Sequence, residues 1–342
     1  MRAAVFQAPG RISVEDRPEP RIEAPGDAIV RVTLTAVCGS DLVAYRGHSP
    51  TARSAGAGIG HEIVGVVQAT GAAVQRLQAG QRVVSPFSSF CGGCFYCKQG
   101  LLSACEQRAV FGIQLGGAQA EYVRVPNADA VLEPIPDELP DEKAIFLADL
   151  LTGVFAGLQL SGMRAGDSVA VVGAGPTGLA AVLLARTMGA GRVYALDHHN
   201  YRLGVAETLG ATPLGEDATS VLLAATGGRG ADVVIEAVGR AEALSRAVEL
   251  VRPWGTLLSL GLGIEQEAPF AIGRLTGKRA RLVPAYGPAV KNYMAPVANM
   301  MLRAGLDPSP LVSHTLSLEE APLAYQLMAQ RNDGALKVLL KP

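Results

Sequence analysis

SVAVVGAGPTGL, residues 168–179, decides the fold. A five-residue, largely apolar run runs directly into Gly173, Gly175 and Gly178, and an Ala- and Leu-rich segment with helical patterning follows. Strand, glycine-rich turn and helix in that order form the opening of a dinucleotide-binding βαβ unit. Gly173 permits the tight turn, Gly175 lets the backbone approach a pyrophosphate, and Gly178 allows helix and strand to pack closely. The first helical amides, around Pro176 and Thr177, then face the anion.

The next strand, RVYAL at 192–196, ends at Asp197, about twenty residues beyond the glycines, where a carboxylate accepts hydrogen bonds from the adenosine ribose hydroxyls. A 2′-phosphate placed there meets repulsion of about 4 kcal/mol per charge pair at an effective dielectric near 20, so NAD is the expected cofactor and NADP is disfavoured. His198, His199 and Arg202 lie close enough in sequence to offset part of that charge, and Arg202 joins the cofactor-binding candidates.

Working outward, apolar runs at 168–172, 192–196, 232–236 and 256–260 alternate with helical patterns at 176–188, 200–209 and 241–251, the rhythm of a doubly wound parallel sheet. Before it, short Val-rich runs at 2–7, 12–16, 28–37, 62–69, 81–85 and 119–125, separated by Pro and Gly, predict a β-rich module. After it come helical stretches at 289–304 and 317–331 and a closing strand at 335–340, whose expected partner is in the opening module. The expected organisation is α/β, with a β-rich domain over 1–150, a Rossmann domain over 151–288 and a return to the first domain over 289–342.

Composition agrees with a compact protein: 49% of the 342 residues are hydrophobic and only 18% charged. A net charge of −1 with no basic stripe argues against nucleic acid as a partner. No signal-peptide pattern opens the chain and no apolar run reaches bilayer-spanning length, so a soluble cytoplasmic protein is expected.

Four of the five cysteines crowd one loop: Cys91, Cys94, Cys97 and Cys105, inside FCGGCFYCKQGLLSAC. Four thiolates close a tetrahedral zinc shell with no open position, which makes a structural site. The first three also match the start of a bacterial iron–sulfur motif, but that motif continues with a cysteine after three residues and then a proline. Here the gap is seven residues and Glu106 follows, which favours zinc.

The fifth, Cys38, ends a strong strand in AVCGSD, and His61 and Glu62 begin another in GIGHEIVGVV. One thiolate, one imidazole and one carboxylate leave a zinc coordination position open, as a catalytic ion requires. Ser40, two residues beyond Cys38, is placed to hydrogen-bond a substrate hydroxyl and pass its proton outward.

Taken together, CGSD, GHE before an apolar strand, the four-cysteine lobe, the glycine turn with its downstream acid and the closing GALKVLL resemble the zinc-containing medium-chain dehydrogenase/reductase family. The stretch GGAQAEYVRVPNADAVL is most similar to its formaldehyde-dehydrogenase-like and polyol-dehydrogenase branches. The resemblance implies a GroES-like catalytic domain and a Rossmann domain, and hydride transfer between NAD and a small alcohol or polyol. It also implies that Cys38, His61 and Asp149 ligate the catalytic zinc, with Glu62 as an alternate or supporting ligand and Asp41 orienting His61. Thr152 is carried over as a residue near the nicotinamide, and Lys337 as a cationic contact to cofactor phosphate.

Two positions depart from the family pattern. Asp149 stands one residue closer to its Thr-Gly pair than is usual, so either Asp149 or Glu62 could complete the shell. Where many relatives have a relay histidine, this chain has Val43, and His48 is the nearest substitute in sequence. Loops around 45–58, 109–118 and 262–288 are expected to shape the substrate pocket, and RPWGTLLSLGLG, 252–263, is expected to form a sheet edge that pairs two copies into a homodimer or homotetramer. The alternatives are a zinc-free quinone or enoyl reductase of the same fold, or a non-catalytic NAD-binding protein.

Overall fold

A computed structural model of the chain describes all residues except 49–53, 216, 263–269, 271, 286, 288–289 and 332–333. Parts of the expected pocket loops, at 49–53 and over most of 263–271, lie outside the described residues. The chain divides into two compact units, Met1–Thr152 with Ala289–Ala298 and Val312–Pro342, and Gly153–Pro288 with Asn299–Leu311. The first change of unit falls after Thr152. The return is less simple, because 299–311 belongs to the second unit.

In the first unit the organising strand is Ala28–Val37, buried at nearly every position because it has neighbours on both edges and packing on both faces. It pairs antiparallel with Ile63–Thr70 on one side and with the closing strand Lys337–Lys341 on the other, Val338 opposite Val37. The expected return of the chain to its opening module is therefore a backbone pairing. The wider sheet runs Glu133–Pro134, Arg82–Ser85, Ile63–Thr70, Ala28–Val37, Lys337–Lys341 and Val312–Ser317, with Tyr122–Val125 also on Ala28–Val37. Two apolar clusters lie against this framework, one around Val30, Ile63, Val83 and Phe111, the other around Phe6, Leu42, Tyr325 and Val338. They fix the strand ends from which Cys38 and His61 project.

The second unit is a six-stranded sheet with every pair parallel, in the order Thr212–Leu214, Arg192–Leu196, Ser168–Val172, Ala231–Glu236, Val251–Ser259, Arg281–Pro284. Its first strand in sequence, Ser168–Val172, lies between the second and the fourth, so chain direction diverges at its carboxyl end. That divergence makes the crevice where doubly wound sheets bind ligands. One expectation is corrected here: the 252–263 segment is no edge. Val251–Ser259 is interior, paired on both sides, and the edge strand on that side is Arg281–Pro284, which the sequence pattern did not reveal because it is short and mostly exposed.

Among the described residues no single helix is long and apolar enough to cross a membrane.

Candidate metal and dinucleotide sites

Cys38 follows the strand Ala28–Val37, His61 and Glu62 precede Ile63–Thr70, and Asp149 immediately precedes the helix Leu150–Ser161. These segments bring one ligand atom from each of Cys38, His61, Glu62 and Asp149 to within 4.8 Å of one another. Asp149 Oδ2 is 3.6 Å from Cys38 Sγ and 3.5 Å from His61 Nε2. Thr152, fully buried, donates its hydroxyl to the carbonyls of Leu147 and Asp149, both at 3.0 Å. It pins the turn that carries Asp149.

Asp41 Oδ1 lies 3.2 Å from His61 Nδ1, and its other oxygen accepts the Cys38 backbone N–H at 3.0 Å. With Nδ1 donating to Asp41, His61 Nε2 keeps its lone pair toward the cluster. Burial alone would lower the His61 pKa, but the negative charges of Asp41 and Cys38 hold it well above the ordinary histidine value. So anionic an environment suits a divalent cation.

Glu62 is fully buried, one oxygen on Lys337 Nζ and the other, Oε2, without a hydrogen-bond partner among the described residues. An unpartnered buried carboxylate oxygen is costly in isolation and calls for a cation or donor at that position. Together with a thiolate and an imidazole it makes a donor set that fits zinc. Lys337 is itself only 3% exposed; burial pulls its pKa down, but Glu62 and Cys38 outweigh that and raise it. Lys337 thus has a buried carboxylate as its partner.

Ser40 starts the short helix Asp41–Tyr45 but makes no side-chain capping bond, which leaves its hydroxyl available. His48 is exposed on the turn beyond that helix and is not brought into the cluster. Phe87 was not identified from the sequence. Its ring stands edge-on to His61, centroids 6.4 Å apart, with the Arg108 guanidinium 5.3 Å from its centroid. No local pattern distinguishes this Phe from a core aromatic.

In the cysteine lobe, Cys91, Cys94, Cys97 and Cys105 also bring their sulfurs within 4.8 Å of one another. Cys91 Sγ is 3.6 Å from that of Cys105 and 4.0 Å from that of Cys97, too far for a disulfide. Backbone N–H groups point at the sulfurs: Gly93 and Cys94 at Cys91, and Cys91 and Gln107 at Cys105. Such donors favour thiolates; the Cys97 and Glu106 amides bring Cys94 down to about 6, whereas burial pushes Cys97 up to about 12. Four converging sulfurs with amide support fit a closed zinc shell.

The glycine turn is shaped for a ligand. Gly173 has φ +94°, open essentially to glycine, and a Cβ on Gly178 would stand 1.8 Å from the Gly173 carbonyl oxygen. Gly175 differs: a Cβ there meets only an Arg202 nitrogen at 3.6 Å, so internal packing does not demand glycine and the bare backbone faces outward. Pro176 and Thr177 open the helix Pro176–Thr187 directly behind it. Asp197, after Arg192–Leu196, accepts the Ala174 N–H at 2.8 Å and so joins the second strand to this turn. Burial would raise its carboxyl pKa, but hydrogen bonds from His199 and the charge of Arg202 hold it below the usual range. The cradle fits a dinucleotide pyrophosphate.

The chain is similar to known proteins over its whole length. Residues 24–137 match the alcohol dehydrogenase GroES-like domain and residues 176–303 match the zinc-binding dehydrogenase domain. An alcohol dehydrogenase of Cupriavidus necator is 35% identical, the alignment covering 100% of this chain and 99% of that protein. The alcohol dehydrogenase TADH from Thermus sp. ATN1 superposes with a TM-score of 0.94 at 40% identity, over 100% of this chain and 99% of that one. An alcohol dehydrogenase from E. coli CFT073 complexed with NADH superposes with a TM-score of 0.89 at 27% identity, over 100% and 99%. Two domain matches in order, full-length relatives and two donor sets that suit zinc make one conclusion: the chain belongs to the zinc-dependent medium-chain alcohol dehydrogenase family.

Proposed function

We propose that this chain oxidises a small alcohol or polyol, or reduces the matching carbonyl, with NAD as hydride partner, and that Cys38, His61 and Asp149 hold the catalytic zinc with Glu62 beside them. The observation that carries this reading is the convergence of those four ligand atoms within 4.8 Å. Zinc, when bound, supplies Lewis acidity that makes a substrate hydroxyl more acidic or polarises a carbonyl. The protein's own groups do the rest. Asp41 fixes the His61 tautomer and anchors the Cys38 backbone, Thr152 holds the Asp149 turn, and the uncapped Ser40 hydroxyl receives the substrate proton and hands it to solvent. The glycine turn at 173–178 positions the dinucleotide through backbone amides. Cys91, Cys94, Cys97 and Cys105 hold a second, structural zinc.

A thiolate, an imidazole and a buried carboxylate brought together have no purpose in a zinc-free quinone or enoyl reductase, which weighs against that alternative. A cytoplasmic location and assembly through the Arg281–Pro284 edge into a homodimer or homotetramer complete the reading. The test is metal analysis of Cys38→Ser and His61→Ala beside an NAD-reduction screen across primary, secondary and poly-alcohols. The expected result is one zinc per chain in place of two, turnover lost at least about 10³-fold and NADH binding retained. Full turnover in either variant, or activity that survives exhaustive chelation, defeats the proposal.

A further inference from the structure

Toward the amino ends of the strands Arg192–Leu196 and Thr212–Leu214, a cleft of about 370 Å³ opens in the second unit. Its lining includes Arg186, Arg192, Tyr194, Thr212, Val221 and Ala225. Arg192 begins its strand and Asp197 follows the end of it. At about 3.3 Å per residue, that strand puts roughly 16 Å between the two, so the cleft is separate from the crevice beside the glycine turn.

Local geometry accounts for the convergence. Arg192 and Tyr194 are two residues apart on one strand, so their side chains leave the same face of the sheet. Thr212 pairs with Tyr194 in the neighbouring edge strand, and Val221 and Ala225 are four apart on the helix Ala218–Ala225, on one face. Arg186 comes from the last turn of the helix Pro176–Thr187 and lies across Gly210, where an added Cβ would stand 3.2 Å from its Nε.

Neither guanidinium makes a hydrogen bond or ion pair with a described residue, whereas Arg202, Arg252 and Arg281 of the same unit each hold an oxygen partner. No Asp or Glu lines the cleft. A helix dipole favours a cation at Arg186 but has no claim on Arg192, which begins a strand. Tyr194 is only 3% exposed, and its hydroxyl has no partner among the described residues. A buried hydroxyl left alone is costly and calls for a partner. Two planar N–H forks suit the several oxygens of a phosphate, and the Tyr194 and Thr212 hydroxyls are further donors. Val221 and Ala225 supply an apolar wall. The volume exceeds what a lone phosphate ion fills and falls within the range of small-ligand sites, about 300–1,000 Å³.

We propose that this cleft is a second ligand site, for a small organic phosphate. The phosphate sits between Arg186 and Arg192 with the Tyr194 hydroxyl as a third donor, and the carbon part lies against Val221 and Ala225. None of these residues belongs to the metal or dinucleotide sites, so the inference stands apart from the oxidoreductase reading.

The experiment is calorimetric titration of the zinc-loaded protein with phenyl phosphate and with inorganic phosphate, at constant ionic strength, with and without saturating NADH. The expected result is saturable binding of phenyl phosphate with a dissociation constant below about 1 mM, at least about threefold tighter than inorganic phosphate and within about twofold of the same value when NADH is present. Arg186→Gln and Arg192→Gln should each weaken it at least about tenfold, and Tyr194→Phe at least about threefold, while the NADH dissociation constant stays the same. Arg192→Lys, which keeps the charge without the fork, should fall between the unaltered protein and Arg192→Gln. Absence of saturable heat up to about 10 mM overturns the proposal. So does binding that NADH abolishes, binding that survives both arginine substitutions, or inorganic phosphate binding as tightly as the ester. Both arginines are exposed, and the unaltered protein alone can sink the idea, so a variant that fails to fold does not protect it.

Discussion

Asp41 reaches two parts of the metal site at once, Oδ1 at 3.2 Å from His61 Nδ1 and Oδ2 accepting the Cys38 backbone N–H at 3.0 Å. One buried carboxylate thus sets the imidazole tautomer and the position of the thiolate loop. Groups that orient a metal ligand are typically worth about 10–100-fold in metal affinity or activity. Asp41→Asn keeps the size but can present its amide N–H to the imidazole, which favours the wrong tautomer. It should lower zinc affinity at the catalytic site and kcat by about 10–100-fold and leave the cysteine lobe loaded. Competition with a chromophoric chelator, which resolves the two zinc ions, checks this.

Gly175 and Gly178 separate ligand binding from folding. A Cβ on Gly178 would collide with the Gly173 carbonyl at 1.8 Å, so Gly178→Ala should destabilise the second unit by several kcal/mol, on the order of other overpacked positions. Gly175 has an ordinary extended φ of −71° and an added Cβ there makes an ordinary contact with Arg202 at 3.6 Å, so Gly175→Ala should leave the Tm within about 1 °C and raise the NADH dissociation constant about tenfold or more. Thermal melting beside fluorescence titration distinguishes them. Equal stability loss in both variants contradicts the distinction.

Glu62 and Lys337 form an ion pair in which neither side chain exceeds 3% exposure. Removing one member strands the other charge, and such breaks cost about 3–5 kcal/mol. Lys337→Met should show that loss in urea unfolding of the chelated protein. Removing the stranded charge as well, in Glu62→Gln/Lys337→Met, should recover most of it. Additive losses in the double variant mean that the two residues act independently.

Asp232 ties the first strand of the parallel sheet to its neighbours: Oδ2 accepts the Ser168 N–H at 2.8 Å and its hydroxyl at 2.6 Å, and Oδ1 accepts Arg252 Nε at 2.6 Å. Burial would raise its carboxyl pKa, but the Ser168 and Arg252 bonds hold it below the ordinary value of 3.8. The folded pKa is therefore lower than the unfolded one. The stabilisation is complete above the unfolded value and disappears as pH falls through the folded value. Below about pH 4, stability of the unaltered protein should drop more steeply than that of Asp232→Asn, as denaturant midpoints over pH 6 to 3 would report.

Much of the architecture was legible in order along the chain. Strands at 168–172 and 192–196 and helices from 176, 200 and 241 fall where their periodicity put them, because burial on two faces or one stripe writes itself locally into residue type. The short strand Thr212–Leu214, the helix Ala218–Ala225 and the edge Arg281–Pro284 were not legible, since a few residues hold too little pattern to distinguish them from loop.

By itself the sequence determined the two local devices, the glycine turn at 173–178 and the four-cysteine loop at 91–105, because backbone permissiveness and ligand spacing act over a dozen residues. Only the tertiary structure decided that Asp149 and Glu62 both converge on Cys38 and His61, that Lys337 pairs with Glu62, that Val251–Ser259 is interior, and that Arg202 stands beside Asp197. The reason is that side-chain direction, desolvation and charge pairing depend on groups brought together from distant parts of the chain, Glu62 and Lys337 being 275 residues apart. Residue order does not carry those distances until the strands have paired.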